Sequence, residues 1–204
     1  AAFVAAAAEA ATRGATLLVS DGSYRIASNL TLSVPVRFQG TLVMDDATRL
    51  LLTRNHDFPT YAAAFGDDET GLRKGLQALF HFTDHAAFDL RGRQVRITRP
   101  IDLAQLTGLN FWAIRRVLRN GIIEVMPGSD WDTQTVTAQG SYNPSQPLTL
   151  SGVTNVANVP VGARIAGAGV GREVYVRARN IGAQTLTLSR PLFGAAGTQT
   201  YTFT

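Results

Sequence analysis

One stretch of this chain is written twice. Residues 16–32 read Thr-Leu-Leu-Val-Ser-Asp-Gly-Ser-Tyr-Arg-Ile-Ala-Ser-Asn-Leu-Thr-Leu, and residues 87–103 read Ala-Phe-Asp-Leu-Arg-Gly-Arg-Gln-Val-Arg-Ile-Thr-Arg-Pro-Ile-Asp-Leu. Slid by 71 positions, their apolar residues coincide: Leu17 meets Phe88, Val19 meets Leu90, Tyr24 meets Val95, Ile26 meets Ile97, Leu30 meets Ile101 and Leu32 meets Leu103. Both copies alternate apolar and polar residues with period two, and a turn containing Gly22 or Gly92 interrupts each. Successive side chains of a strand point to opposite faces, so the alternation predicts short, half-buried strands. Such strands, parted by tight turns and recurring along a chain, are the pattern of solenoid coils.

Each copy follows a helical signal. Residues 2–13 are rich in helix formers, with Phe3, Ala7, Ala10 and Ala11 on one face, and Gly14 supplies a stop. Strands are predicted at 16–20, 23–27, 30–32, 36–38, 41–44 and 49–53, with Asp21-Gly22 as a turn. A second helix is predicted over 70–82, with Thr70 as N-cap and Leu72, Leu76, Leu79 and Phe80 on one face. Strands at 87–90, 94–97 and 101–103 follow. The repeated unit is therefore a helix plus a set of short strands, about 1–53 and 70–125. A looser echo joins Arg37-Phe-Gln-Gly-Thr-Leu-Val to Arg119-Asn-Gly-Ile-Ile-Glu-Val.

From about Thr133 helix formers give way to Thr, Val, Gly and Asn. Strands at 134–138, 147–150, 163–166, 173–178, 184–188 and 199–204, parted by Gly- and Asn-rich turns, predict an all-β module, sandwich or barrel. The expected division is 1–130 and 131–204, with the boundary anywhere within 127–134. The fold class expected is mainly β: a short right-handed parallel β-helix with capping α-helices, followed by the small all-β module.

Composition narrows the function classes. Only 17% of residues are charged, which suits a subunit that buries part of its surface in an oligomer. The basic residues are arginine except for Lys74, and they are spread along the length. A nucleic-acid reader would concentrate them in a stripe interleaved with aromatics, so no nucleic-acid partner is expected. The local groups Arg91, Arg93, Arg96, Arg99 and Arg115, Arg116, Arg119 read as solvated outer faces, open to an anionic polysaccharide. The chain has no cysteine, which excludes disulfides, thiol chemistry and thiolate metal sites. No apolar run reaches the ~18 residues of a membrane-spanning helix, so no membrane insertion is expected. The chain starts without Met and stops on Tyr-Thr-Phe-Thr, mid-strand by pattern, as an ordered part of a longer polypeptide would.

The residues 2–32 resemble the start of pectate-lyase-like right-handed β-helices in phage tailspikes and related polysaccharide-binding proteins. The elements carrying the resemblance are Phe3 to Ala11, Asp21-Gly22-Ser23-Tyr24-Arg25-Ile26 and Leu30-Thr31-Leu32. The second copy, Leu76 to Phe80 and Leu90 to Ile97, resembles the same opening. The stretch Val161-Gly-Ala-Arg-Ile-Ala-Gly-Ala-Gly-Val is similar to modules of phage fibre and spike proteins, and the whole resembles spikes of phage-derived gene transfer agents. The resemblance implies a spike or fibre on the head or tail of a phage-like particle. It further implies a homo-oligomer, with a trimer favoured, that contacts other virion proteins and host-surface polysaccharide. Such a protein is assembled in the bacterial cytoplasm and is extracellular after release. Many relatives also cleave the glycan, far along a longer stack of coils than this chain has.

Candidate sites follow from residue type. Asp130-Trp131-Asp132 is the most enzyme-like cluster, because carboxylates two apart on a strand share a face and glycoside cleavage uses two carboxyls beside an aromatic ring. If the chain is an enzyme, Asp130 and Asp132 are its catalytic pair; otherwise an exposed turn at a domain boundary accounts for the triplet. Trp131, Tyr142 and Arg93 are the candidate glycan contacts, since aromatic faces stack on sugars and arginine binds acidic glycans. Asp67-Asp68-Glu69 is explained by the start of the second helix, so no metal is expected there. His81 and His85 are spaced for a helical zinc pair, yet the phenylalanines Phe80, Phe82 and Phe88 around them favour packing. Gly167 to Gly171 lacks the following helix of a dinucleotide loop, and no cofactor is expected. The leading expectation is a structural, receptor-engaging spike component without chemistry of its own. A polysaccharide hydrolase or lyase and a bacterial surface adhesin are the alternatives.

Overall fold

A computed structural model describes residues 2–81, 85–109 and 111–204; Phe82, counted above in a helix and beside the histidines, lies outside them. Strand (33%) exceeds helix (22%), so the chain is mainly β. It divides into two compact units, Ala1–Trp131 and Asp132–Thr204.

The first unit opens with α1 (Ala2–Thr12), which buries Ala7 and Ala10. Ala11 is exposed, so the buried stripe is narrower than the sequence predicts. Methyl side chains let the helix lie close to its neighbours, and Phe3 meets the Tyr24 ring edge-on with 5.5 Å between centroids. Gly14, at φ 60°, ends the helix as Ala15 N–H donates to the Ala10 carbonyl. Six strands follow: β1 (Leu17–Val19), β2 (Ser23–Ile26), β3 (Leu30–Leu32), β4 (Val36–Phe38), β5 (Thr41–Met44) and β6 (Leu50–Leu52). They fall where the alternation predicts them.

Their pairing is parallel and ordered. β1 pairs with β4, β2 with β5 and β3 with β6, so Leu17 lies opposite Val36, Ser23 opposite Thr41 and Leu30 opposite Leu50. Like side chains therefore stack on like: Leu30, Leu32, Leu50 and Leu52 are all at most 5% exposed. The turn after β4 brings Gly40 so near Ser20 and Gly22 that a Cβ would overlap their carbonyls, which requires glycine there.

Two helices intervene before the second copy. α2 (Phe58–Phe65) is capped by Asp57, whose side chain accepts from Thr60 N–H, and Gly66 ends it in the left-handed conformation. α3 (Asp68–His81) buries Leu72, Leu76 and Leu79, and its cap is Asp67, which accepts from Thr70 N–H at 2.7 Å. Thr70 therefore lies inside the helix rather than at its cap. Three polar residues bind α3 to its surroundings. Lys74 Nζ donates to the carbonyls of Asp45 (2.7 Å), Asp46 (3.1 Å) and Thr48 (2.6 Å). Gln77 Nε2 donates to Asp46 and Leu106 carbonyls, and Arg73 reaches those of Arg99 and Pro100.

In the second copy β7 (Ala87–Asp89) pairs in parallel with β9 (Val117–Arg119), and β8 (Gln94–Ile97) with β10 (Ile122–Val125). The strand predicted at 101–103 does not form. Asp102 instead caps a short helix, α4 (Leu103–Thr107), accepting from Gln105 N–H at 3.0 Å, and Gly108 closes it. A local cap thus overrides the apolar beat that Ile101 and Leu103 share with Leu30 and Leu32. The looser echo corresponds to a shared turn: Thr41 N–H donates to the Gly22 carbonyl as Ile122 N–H donates to that of Arg93.

The second unit is one six-stranded antiparallel sheet. Its strands are β11 (Val136–Tyr142), β12 (Thr149–Ser151), β13 (Ile165–Ala166), β14 (Val176–Asn180), β15 (Thr185–Leu188) and β16 (Gly197–Phe203), in the order β13-β16-β11-β12-β15-β14. Backbone bonds from Ile165 N–H to Val174 and from Val176 N–H to Ala163 join the two outer edges, closing the sheet on itself. Leu150, Val159, Val176, Leu186, Leu188, Tyr201 and Phe203 fill the interior.

Candidate functional site

The first unit presents its least covered apolar surface where the second copy ends. β9 and β10 are each paired along one edge only, and they expose Ile122 (61%) and Val125 (53%) together with Leu118 and Ile123. Beside them lies a cleft of about 460 Å³, lined by α3 residues Leu76 and Phe80, by Ile97, by Leu118 and Ile123, and by Trp131. Arg116 is the one charged group among the described lining residues. Trp131 is positioned by a short 3-10 turn, Ser129–Trp131, and its Nε1 donates to the Met126 carbonyl at 2.9 Å.

A polar rim borders this surface. Arg91 (φ 54°) and Asn120 (φ 57°) take the left-handed conformation in the turns after β7 and β9. Between them Asp89 accepts from Arg91 N–H at 2.8 Å and from Asn120 Nδ2 at 3.1 Å, and it pairs with Arg119 at 3.3 Å. The Arg91 guanidinium reaches Asp57 at 3.3 Å. On the paired strands Glu124 lies opposite Arg96 and accepts from it at 2.9 Å, with Gln94 donating at 2.7 Å.

These contacts fix the charge state of the carboxyls. The Arg91 backbone N–H, then Asn120 and Arg119, hold Asp89 below the ordinary Asp range against some desolvation. Arg96 and Gln94 do the same for Glu124. Burial opposes ionisation of Glu69, but hydrogen bonds from Arg73 and Thr98 outweigh it and its titration is also lowered. Each of the three is an ionised acceptor, the opposite of a carboxyl kept protonated as a general acid.

Beneath the rim is an aromatic cluster. His56 is buried, stacks on His85 and packs against Phe88 with ring centroids 5.1 Å apart. Desolvation first, then the neighbouring His85, push its titration down to about 4, only partly opposed by Asp57. His85 Nε2 lies 3.1 Å from the Thr53 carbonyl. His81 lies in α3, with its Nε2 2.9 Å from the Thr107 carbonyl, whereas His85 is not helical, so the two do not form a helical pair.

The residues singled out from sequence fall in different places. Arg93 is exposed in the turn before β8, and no hydrogen bond or ion pair engages its side chain among the described residues. Trp131 is half-buried against the first unit's core with its ring on the cleft. Tyr142 is 4% exposed inside the second unit, its hydroxyl donating to the Leu192 carbonyl at 3.1 Å. It therefore offers no face to a sugar, contrary to the expectation from sequence. Asp130 lies in the 3-10 turn and Asp132 follows it in a loop, both exposed. The strand that would have aligned their carboxylates is not formed, so the shared-face argument for a catalytic pair fails. Sequence reasoning missed the Asp89–Asn120 rim, whose partners are far apart in the chain, and His56, which no spacing pattern marks.

No protein-family model matches the chain, and no curated protein is significantly similar to it. Among the described residues no helix is long and apolar enough to cross a membrane.

Proposed function

We infer that this chain is a structural spike or fibre component of a phage-like particle, of the kind carried by tailed phages and gene transfer agents, and that it attaches the particle to host-surface polysaccharide. Residues 16–52 and 87–125 are then short right-handed parallel β-helix segments, each led by a capping helix. The observation that carries this reading is the order of the parallel ladders: β1, β2 and β3 each receive a partner 18 to 20 residues on, in the same sequence. Successive turns of a coil produce such an offset, and right-handed crossovers are the strong rule for parallel connections. The resemblance of the Phe3 to Leu32 region to tailspike openings supports it from sequence.

In this reading the chain works by assembly rather than by chemistry. Stacked leucines make a stiff projecting body, and the uncovered strands β9 and β10 suit burial in a homo-oligomer, a trimer being favoured. Several copies on one particle raise the effective concentration of weak sugar contacts. Labelling purified particles with an antibody to this chain and imaging them by electron microscopy tests the proposal. Label on projecting spikes is expected; a chain that fractionates with cell envelopes, as an adhesin would, overturns it.

A further inference from the structure

Within the second unit one aromatic ring stands apart. Phe193 is 86% exposed, yet its backbone is tied down: its N–H donates to the Gly169 carbonyl at 2.7 Å. Gly169 is left-handed (φ 67°), and a Cβ there would come within 2.6 Å of Gly194. A Cβ at Gly171 would come within 2.7 Å of the Phe193 ring. Gln199 Nε2 donates to the Ala168 carbonyl at 2.7 Å and fixes the same loop from its other side. Two glycine-rich loops thus clasp each other with the ring against Gly171 and its remaining surface in water. Arg172 follows the glycine under the ring, and Arg190 follows Ser189, which accepts from Tyr175 N–H at 2.9 Å. Both arginines are exposed, and neither has an ion pair among the described residues.

We propose that Phe193, with Arg172 and Arg190, is a binding site for an acidic, uronate-bearing polysaccharide, which locates the contact that the attachment reading requires and rests on that reading. The C–H groups on one face of a pyranose ring carry slight positive charge and meet the negative face of an aromatic ring. A protein partner would instead call for a contiguous apolar patch, which a single ring over Gly171 does not provide. Arg172 adjoins Gly171, which the ring overlies, and Arg190 lies three positions before Phe193; guanidinium groups match uronate carboxylates in shape as well as in charge. Because the ring is already held in place, little ordering entropy is lost on binding.

The test is titration of the chain with polygalacturonate oligosaccharides and, as the neutral comparison, dextran. Phe193→Ala is expected to weaken polygalacturonate binding about tenfold without moving the melting midpoint. The double substitution Arg172→Gln, Arg190→Gln is expected to remove the preference over dextran. If Phe193→Ala binds polygalacturonate as the unaltered chain does, the site is wrong while the attachment reading stands. If the unaltered chain binds neither polygalacturonate nor polysaccharide extracted from host cells, the attachment reading falls, and this site with it.

Discussion

His56 and His85 lie face to face, 4.7 Å between ring centroids and 14° from parallel, though 29 positions separate them in the chain. One is buried beside Tyr61 and Phe88, so a proton on His56 would sit in an apolar pocket next to a second imidazole. The stack is a packing element that tolerates the neutral ring and resists the charged one.

Acid should therefore weaken the first unit well before carboxylates titrate. His56 keeps a folded value of about 4 against an unfolded value near 6.5, so between those values the unfolded chain binds the extra proton. Stability is full above about pH 6.5 and falls as pH drops, losing about 3 kcal/mol by pH 4. Urea unfolding at pH 7 and 4.5 measures it, and His56→Gln should show a shallower decline over that interval. Equal slopes would mean the ring is not held neutral.

Gly75 and Gly92 separate two reasons for glycine. A Cβ at Gly75, on α3, would overlap the Phe88 ring, whereas Gly92 has open space around it but a φ of 77°. Gly75→Ala should cost about 3 kcal/mol through overpacking. Gly92→Ala should cost about 1 kcal/mol through left-handed strain alone. Chemical denaturation of both variants gives the comparison, and the opposite ranking would contradict the packing of α3 on β7.

How much of this was legible depended on whether a contact lay within one element. The strands from Leu17 to Leu52 were readable because alternation is a local property and their leucines stack on their own kind. α2 was missed although Asp57, Pro59 and Gly66 mark its two ends, because its short apolar run shows no long periodicity. Ile101 and Leu103 misled because an apolar beat cannot weigh the cap that Asp102 provides. Tyr142 was chosen for its residue type, and alternation along β11, which buries Ala138, Gly140 and Tyr142, was the better guide. Phe193 could not be singled out at all: its exposure depends on Gly169 and Gly171 meeting a loop more than twenty positions away.

Lys74 is a structural clasp. Its ammonium satisfies three carbonyls of the 45–48 loop, and burial lowers its titration although Asp46 and Asp45 favour the charge. Lys74→Met keeps the stem but leaves those acceptors without their donor, an expected loss of about 3 kcal/mol. Lys74→Arg should fail to restore it, because a planar guanidinium cannot direct three N–H donors from a single nitrogen at three carbonyls. Thermal melts of both variants decide the matter; full stability in Lys74→Met would show that the loop holds without the clasp.

Asp89 gives the acid limb at lower pH. Its folded value is depressed by the Arg91 N–H, Asn120 and Arg119, so its stabilisation is present above the ordinary Asp value and lost as pH falls through the folded one. Asp89→Asn removes the charge at every pH while keeping the side chain's size. The variant should melt below the unaltered chain at pH 7, and the gap should narrow as pH falls below the ordinary Asp value, where the unfolded chain takes up the proton first. This window lies below that of His56, so melting curves at pH 7, 5 and 3 distinguish the two groups. A gap that is absent at pH 7, or that stays constant from pH 7 to 3, would mean that the carboxylate's ionisation does not stabilise the fold, and that the two left-handed turns stack without its charge.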